Sequence, residues 1–305
     1  MKGIILAGGT GSRLYPTTKA QSKALLPVYN KPMIYYPISV LMLSKIKDIL
    51  IITTSEYIET YRRLLGDGSN LGIRLSYDIQ KEPKGIADAF IIAEEFLDGG
   101  AACLMLGDNL LYGHGLPELL INAKNKVKNE NKSVVFGFNV ANPEKYGIAT
   151  VENKKVLKIE EKPKKPESNW CVIGLYMYTN DIVNIAKSIK PSERGELEIT
   201  DVNNKYIQHN KLDIGLFGRG YTWFDTGNVE DLFSASTFVR TIEKRQGLKI
   251  ACLEEIAYYM GFISRKKLIE LVAAIGNKTE YSEYLDKLIK SEVSSMNRLR
   301  CTNKK

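Results

Sequence analysis

Apolar residues in the first half of the chain gather into short runs separated by longer amphipathic stretches. "GIILA" (3–7), "DILIIT" (48–53), "IRLSY" (73–77), "AACLMLG" (101–107) and "SVVFGF" (133–138) read as strands. Segments near 32–45, 56–65, 85–97 and 115–128 place apolar side chains at helical spacing. Strands alternating with helical patterns of roughly 10–20 residues predict βαβ units and a mostly parallel sheet. Runs made almost wholly of Ile, Leu and Val predict a sheet covered on both faces.

The second half is patterned differently. "GIATVENKKVLKIEEKP" (147–163) predicts two short strands around an Asn-containing turn. "WCVIGLYMYT" (170–179) and "LDIGLFG" (212–218) add strands, and the aromatic "GYTWFDTG" follows. Residues 228–248 and 264–290 predict helices, and 291–305 are a polar tail. No internal repeat and no Gly-, Pro- or Ser-rich linker forces a domain cut.

At 305 residues, 44% hydrophobic and 26% charged, the chain has the make-up of an ordinary globular protein with a sizeable core. No segment approaches the roughly 18 uninterrupted apolar residues of a membrane span. The strand that follows Met1-Lys2 lacks the pattern of a signal peptide, so the expected location is the cytoplasm. Cys103, Cys171, Cys252 and Cys301 are scattered, and Cys103 and Cys171 in apolar runs read as buried free thiols. With only His114 and His209, a zinc site or a His-based triad is disfavoured, and a metal here should be a hard cation on carboxylate oxygens. The net charge of +8 lies largely in "NAKNKVKNENK" (122–132), around 162–166 and in the tail. No basic stripe with interleaved aromatics points to nucleic acid, so anionic small molecules are the better use of this charge.

Residues 3–16, "GIILAGGTGSRLYP", nearly fit two phosphate-binding motifs. A Walker A loop requires Gly-Lys-Ser/Thr, which is absent, and a dinucleotide fingerprint requires a third glycine where Leu14 stands. What remains is a run of backbone N–H groups around Gly8–Gly11 with Arg13 beside it, a combination suited to anions. Asp108 ends an apolar strand and Asp225 ends an aromatic one, so both fall where open α/β sheets hold ligands. Two such carboxylates could share one Mg²⁺ with substrate phosphates, although "GDN" could equally be a plain turn.

"GGTGSRL" followed by "SKALLPV" resembles the sugar-phosphate nucleotidylyltransferases, and within them the glucose-1-phosphate thymidylyltransferases. The resemblance runs on through "YYPISVLMLSKIKDILIIT", "LLGDGSNLGI", "LGDNLLYGHG", "EKYGIA", "EEKP", "RGELEITDVN" and "GRGYTWFDTGN", covering roughly residues 1–260. It implies an α/β fold: a Rossmann-like, mostly parallel mixed sheet flanked by helices, with an inserted sugar-binding β region and C-terminal helices. The core would be 1–227, its nucleotide half about 1–140 and its sugar-phosphate half about 141–227. Helices over 228–290 would make subunit contacts and a regulatory site, in a homotetramer assembled as a dimer of dimers.

By the same resemblance, Arg13, Lys23, Asp108, Lys162 and Asp225 are the catalytic group, with Asp108 and Asp225 holding Mg²⁺. Leu6, Gly8, Gly9, Thr10, Gly11, Ser12, Gln80, Pro83 and Gly85 complete the nucleotide site. The Gln80 amide can donate and accept together, matching the N3–H and O4 of thymine or uracil, and Gly85 would let the base approach the backbone. Asn109, Tyr146, Gly147, Glu161, Val172, Tyr176, Arg194, Glu196 and Trp223, with Lys162, would surround the sugar phosphate. Tyr112, Gly113, Arg219 and Glu255 mark the family's second nucleotide site, used for end-product feedback.

The implied reaction joins dTTP and glucose 1-phosphate into dTDP-glucose and pyrophosphate, a first step toward dTDP-rhamnose and related deoxysugars. Its nucleophile is already ionised near neutral pH, which suits a chain with so little histidine. The obstacle is electrostatic: at ~4 Å, like unit charges repel by about 4 kcal/mol at an effective dielectric of ~20. The sequence departs from the family pattern at Ala24 and Asp88, where Gln is common, and at Pro117 and Tyr259, where His and Arg are often found. The first pair keeps a UTP-using relative open as the rival reading, and the second bears on feedback. A catalytically silent subunit of the same fold would be expected to lose Arg13, Lys23 or one of the aspartates, and none is lost.

Overall fold

The computed structural model describes residues 1–153, 155–276 and 278–290. The polar tail at 291–305, with Cys301, lies outside the described residues. The strands are β1 (Lys2–Leu6), β2 (Pro27–Val28), β3 (Lys31–Pro32), β4 (Asp48–Thr53), β5 (Arg74–Ile79), β6 (Ala102–Leu106) and β7 (Asn109–Gly113). They continue as β8 (Ser133–Asn139), β9 (Gly147–Glu152), β10 (Lys155–Glu161), β11 (Trp170–Tyr178), β12 (Leu212–Phe217) and β13 (Tyr221–Asp225). The first helices are α1 (Tyr35–Leu43), α2 (Ile58–Leu65), α3 (Asp88–Ile92), α4 (Glu94–Leu97), α5 (Leu116–Glu130) and α6 (Ile182–Ser188). The rest are α7 (Ile199–Gln208), α8 (Val229–Gln246), α9 (Leu253–Tyr259), α10 (Arg265–Ile275) and α11 (Glu280–Lys290).

One nine-stranded sheet runs through both halves in the order β5-β4-β1-β6-β11-β8-β12-β10-β9. The ladders β4–β5, β1–β4, β1–β6 and β8–β12 are parallel. Only β11 and β10 run against the rest. The expected sugar-binding β region is therefore continuous with the first sheet, because β11 pairs with β6 on one side and β8 on the other.

Strand periodicity explains the two-sided cover. Ile5, Ile49, Ile51, Cys103, Met105, Leu175 and Met177 face one core, shared with α1, α5 and α9. Their neighbours Ile4, Leu50, Ile52, Leu104, Tyr176 and Tyr178 face the other, under α3, α6 and α7. Successive strand residues point to opposite faces, so a run apolar at every position is buried twice. Cys103, Cys171 and Cys252 are buried free thiols.

Several elements depart from the sequence-based expectation. The helix expected at 85–97 is two short ones, because Ala93 turns to φ −80°, ψ 6° between them. The helix expected at 264–290 breaks after Ile275, where Gly276 adopts φ 70°. α6 and α7 were not foreseen. Neither was β7, which pairs only with β13 in a separate two-stranded ribbon.

A third apolar cluster seats α8 over the β2–β3 hairpin, through Leu14, Val28, Met33, Tyr36, Ala235 and Val239. Beside it lies a buried ionic knot. Glu243 Oε1 accepts from Lys31 Nζ at 2.9 Å and from the Ile250 amide at 2.9 Å. Its Oε2 accepts from Asn30 Nδ2 at 2.8 Å and Lys249 Nζ at 3.3 Å. Lys249 in turn reaches Glu280 at 2.9 Å, at the start of α11. Burial lowers the Lys31 pKa and Glu243 opposes that, so each charge depends on the other.

Removing one partner of such a pair strands a buried charge. Glu243→Ala should cost about 3–5 kcal/mol in a denaturant melt, whereas Lys31→Met combined with Glu243→Leu should recover most of that loss. Equal losses in the single and double variants would show that the knot is not what holds α8.

Candidate active site

The glycine loop leaves the C-terminal end of β1. Gly11 adopts φ 62°, and a Cβ there would sit 2.7 Å from Thr18 Cγ2, so this turn admits only glycine comfortably. A one-turn 3₁₀ segment, Ser12–Leu14, then drops Leu14 into the core and leaves Arg13 exposed beside the loop. Gly9, Thr10 and Ser12 are exposed at the loop's crest, Gly8 is buried, and Leu6 is half-buried at the strand end.

Lys23 is buried and its ammonium forms an ion pair with Asp108 Oδ2. Asp108 stands two residues past the end of β6, after Gly107. Its other oxygen, Oδ1, accepts from Asn109 Nδ2 at 2.9 Å. The β7–β13 ribbon brings Asp225 into register with Asn109. Thr226 locks that register, its amide and hydroxyl both donating to the Asp108 carbonyl, at 3.2 and 2.8 Å. Burial, and after it the nearby Asp108 charge, push the Asp225 carboxyl up to about 6, with Lys23 and Arg13 pulling the other way. A Cβ on Gly227 would lie 3.0 Å from both Arg13 Nη2 and Asp225 Oδ1, so this glycine makes room for the pair to approach.

A cavity of about 1010 Å³ opens next to these groups. Arg13, Tyr146, Lys162, Trp223 and Asp225 line it together with Phe138, Asn139, Asn142, Lys145, Asn228 and Asp231. Tyr146 and Trp223 meet edge-to-face at 5.4 Å, and burial followed by the Asp225 charge pushes the Tyr146 hydroxyl up to about 12. Lys162 takes φ 45° and its amide donates to the Tyr146 carbonyl at 3.0 Å, which ties the hairpin end to "EKYG". Glu161 Oε2 accepts from Thr200 at 2.8 Å, and its Oε1 lies 3.5 Å from Lys162 Nζ and 3.8 Å from Arg194. Gly147 backs this carboxylate, for a Cβ there would be 3.3 Å from Glu161 Oε2.

Arg194 has a nearer partner than any the sequence suggested. Its Nη2 donates to both Glu198 oxygens, at 2.9 and 3.0 Å, with Glu196 at 3.9 Å. Val172 is half-buried on β11. Tyr176 packs in the core with its ring stacked on Tyr178, and its hydroxyl feels Glu161 and Asp108 electrostatically rather than lining the open cavity.

Among the residues expected at the nucleotide, Gln80 is 7% exposed and its Nε2 donates to Asp88 at 3.0 Å and to the Gly85 carbonyl at 3.4 Å. The donor end of the amide is thus engaged within the protein, and its oxygen is the end turned toward Gly8. Gly85 has a reason the sequence did not disclose: at φ 99°, a Cβ would meet the Leu197 carbonyl at 2.5 Å. Leu197 bonds back to Lys84 and Ala87, stitching the base-side loop to the Arg194 segment. Pro83 is exposed on that loop, and Ala24 is buried in the core with no polar group to offer.

The four residues expected at a second nucleotide site are spread over three elements. Tyr112 donates to Gln246 at 3.1 Å, and Gly113 faces the Tyr221 ring. Arg219 is exposed before β13, and Glu255 is buried on α9, accepting from Tyr284 at 2.7 Å. Among residues not singled out from the sequence, Gly174 bears directly on the site. A Cβ there would be 2.7 Å from Asn109 Oδ1, and its only signal was a glycine inside an apolar strand.

Comparison with known proteins gives a consistent result. A family model described as nucleotidyl transferase matches residues 2–242. The glucose-1-phosphate thymidylyltransferase of Neisseria meningitidis serogroup A is 50% identical over 291 residues, covering 95% of this chain and all of that protein. Its Mycolicibacterium smegmatis counterpart is 46% identical over 293 residues, again along its whole length. A crystal structure of a candidate glucose-1-phosphate thymidylyltransferase from Bacillus anthracis with sucrose superposes with TM-score 0.72 at 39% identity, covering 79% of this chain and 95% of that one. A UDP-glucose pyrophosphorylase bound to UDP-glucose follows at TM-score 0.70 and 27% identity, covering 79% of this chain and 98% of that one.

Asp225 makes a measurable demand on stability. Its carboxyl rises from an ordinary 3.8 to about 6 on folding. The stability it contributes is therefore full below about pH 4 and is lost as pH rises through about 6. Asp225→Asn cannot ionise, so in chelator it should melt higher than the parent at pH 8, by at most about 3 kcal/mol less screening by water, and identically near pH 4. Thermal melts across pH 4–8 check this, and no gain at pH 8 would contradict the repulsion.

Proposed function

This chain belongs to the nucleotidyl transferase family, and on that premise we propose how it moves a thymidylyl group from dTTP to glucose 1-phosphate, giving dTDP-glucose and pyrophosphate. A phosphate oxygen of the sugar phosphate bonds to the α-phosphorus. The bond from that phosphorus to the bridging oxygen of the β-phosphate breaks, and its electron pair leaves with pyrophosphate. The attacking oxygen of the sugar phosphate is already ionised, so no general base is required, and catalysis reduces to positioning and charge.

The observation that carries this reading is the convergence of Arg13, Lys23, Asp108 and Asp225 at the ends of β6 and β13, beside the glycine loop. Loop amides and Arg13 would cradle the triphosphate, and Lys23, with two ammonium hydrogens left after Asp108, would complete the clamp. Lys162, at the cavity wall, would take the sugar phosphate, while Glu161 would accept from sugar hydroxyls.

Asp108 and Asp225 fit Mg²⁺: they are two oxygen donors that repel each other, with no third His, Cys, Asp or Glu completing a cluster among the described residues. Mg²⁺ is commonly held by one or two carboxylates, with waters and phosphates filling the rest. Bound there, it would supply positive charge to the reacting phosphates. The same reading carries a homotetramer, and Val229 and Phe233, exposed one turn apart on α8, are apolar surface available for it.

A pyrophosphate-release assay crossing dTTP, UTP, CTP and ATP with glucose-, glucosamine- and mannose-1-phosphates tests the assignment. The dTTP and glucose 1-phosphate pair should be preferred, and a better pair would replace it. Arg13→Ala and Asp108→Ala should each lower turnover roughly 100-fold or more with little change in melting, as for loss of one preorganised electrostatic element. Near-normal turnover in either variant would sink the proposed roles.

A further inference from the structure

Gln80 stands just past β5 and Asp88 opens α3, eight residues on. The Gln80 Nε2 has two acceptors, Asp88 Oδ2 at 3.0 Å and the Gly85 carbonyl at 3.4 Å. A carboxylate and a backbone carbonyl can only accept, so they dictate which end of the amide faces them. The nitrogen points to 85–88. The oxygen is left toward the glycine loop, where Oε1 lies 3.0 Å from the position of a Cβ on Gly8.

We propose that Asp88 is a specificity-positioning residue: it pins the Gln80 amide so that only its acceptor edge meets the base, selecting pyrimidines that carry N3–H over cytosine. The inference rests on the glycine loop being the nucleotide site. Thymine and uracil present N3–H to Oε1, whereas cytosine presents a bare N3 lone pair, so two acceptors would face each other. An amide at position 88 could turn either end toward Gln80 and would leave only the longer 3.4 Å contact with the Gly85 carbonyl to orient it; a carboxylate can only accept. The competing role for Asp88 is a negative charge in the first turn of α3. That role concerns stability and would affect all nucleotides alike.

The two roles separate in steady-state kinetics of the full chain with dTTP and dCTP, glucose 1-phosphate being held saturating, with a melt recorded for each variant. In Asp88→Asn, KM for dTTP should rise about tenfold with kcat within about threefold. The dTTP-over-dCTP ratio of kcat/KM should fall about 10- to 100-fold, the range for one hydrogen bond exchanged for a mismatch. Asp88→Glu keeps an acceptor-only group and should hold the ratio within about threefold of the parent. If Asp88→Asn melts below the assay temperature, Asp88→Ala and Asp88→Glu decide: the ratio must fall in the first and persist in the second. An unchanged ratio in Asp88→Asn, parallel loss of both nucleotides, or loss of discrimination in Asp88→Glu would overturn the proposal. A parent enzyme without dTTP turnover would instead sink the transferase reading, which keeps the two failures distinct.

Discussion

The Asn109 side chain, 2% exposed, is the point on which the geometry of the site depends. Its Oδ1 accepts from the Gly174 amide of β11 at 3.2 Å and from Trp223 Nε1 of β13 at 2.7 Å, while its Nδ2 donates to Asp108. One buried amide therefore joins the turn after β6, the sheet's antiparallel strand and the ribbon that carries Asp225. Burying a polar group without partners is costly, so its bonds must form together or not at all. The small size of Gly174 is part of the same constraint, since any side chain there would displace the asparagine.

Around that point the charges are arranged in opposition. Asp108 and Asp225 destabilise each other, and Lys23 and Arg13 offset only part of the repulsion. A site kept in this state suits the meeting of two polyanions, because its cations are placed before the substrates arrive and need little reorganisation. Leu197 joins the loop after β5 to the Arg194 segment through its backbone bonds to Lys84 and Ala87.

The far wall depends on a different interaction. Asn228 and Asp231, at the start of α8, line the cavity, and the other end of that helix is anchored by Glu243 to Lys31 and Lys249. A buried ionic knot some four turns away thus sets where the wall stands. It also connects to α11 through the ion pair of Lys249 with Glu280.

Much of this was legible in the chain itself. The apolar runs at 48–53 and 101–107 read as strands buried on both faces, and the glycine loop with Arg13 carries an anion-binding pattern locally, whereas Lys23 and the strand-end aspartates took their expected roles from the family resemblance. Other features had no local signature. The 109–113 strand exists because residues 221–225 pair with it, and the turn at Ala93 interrupts a stretch whose helical periodicity runs on. Gln80 shows the division most clearly: its residue type says that it can donate and accept together, but that its donor end is turned to Asp88 and the Gly85 carbonyl was decided by the fold. Residue type determines what a group is able to donate or accept. Only the folded neighbourhood determines which of those capacities has already been used.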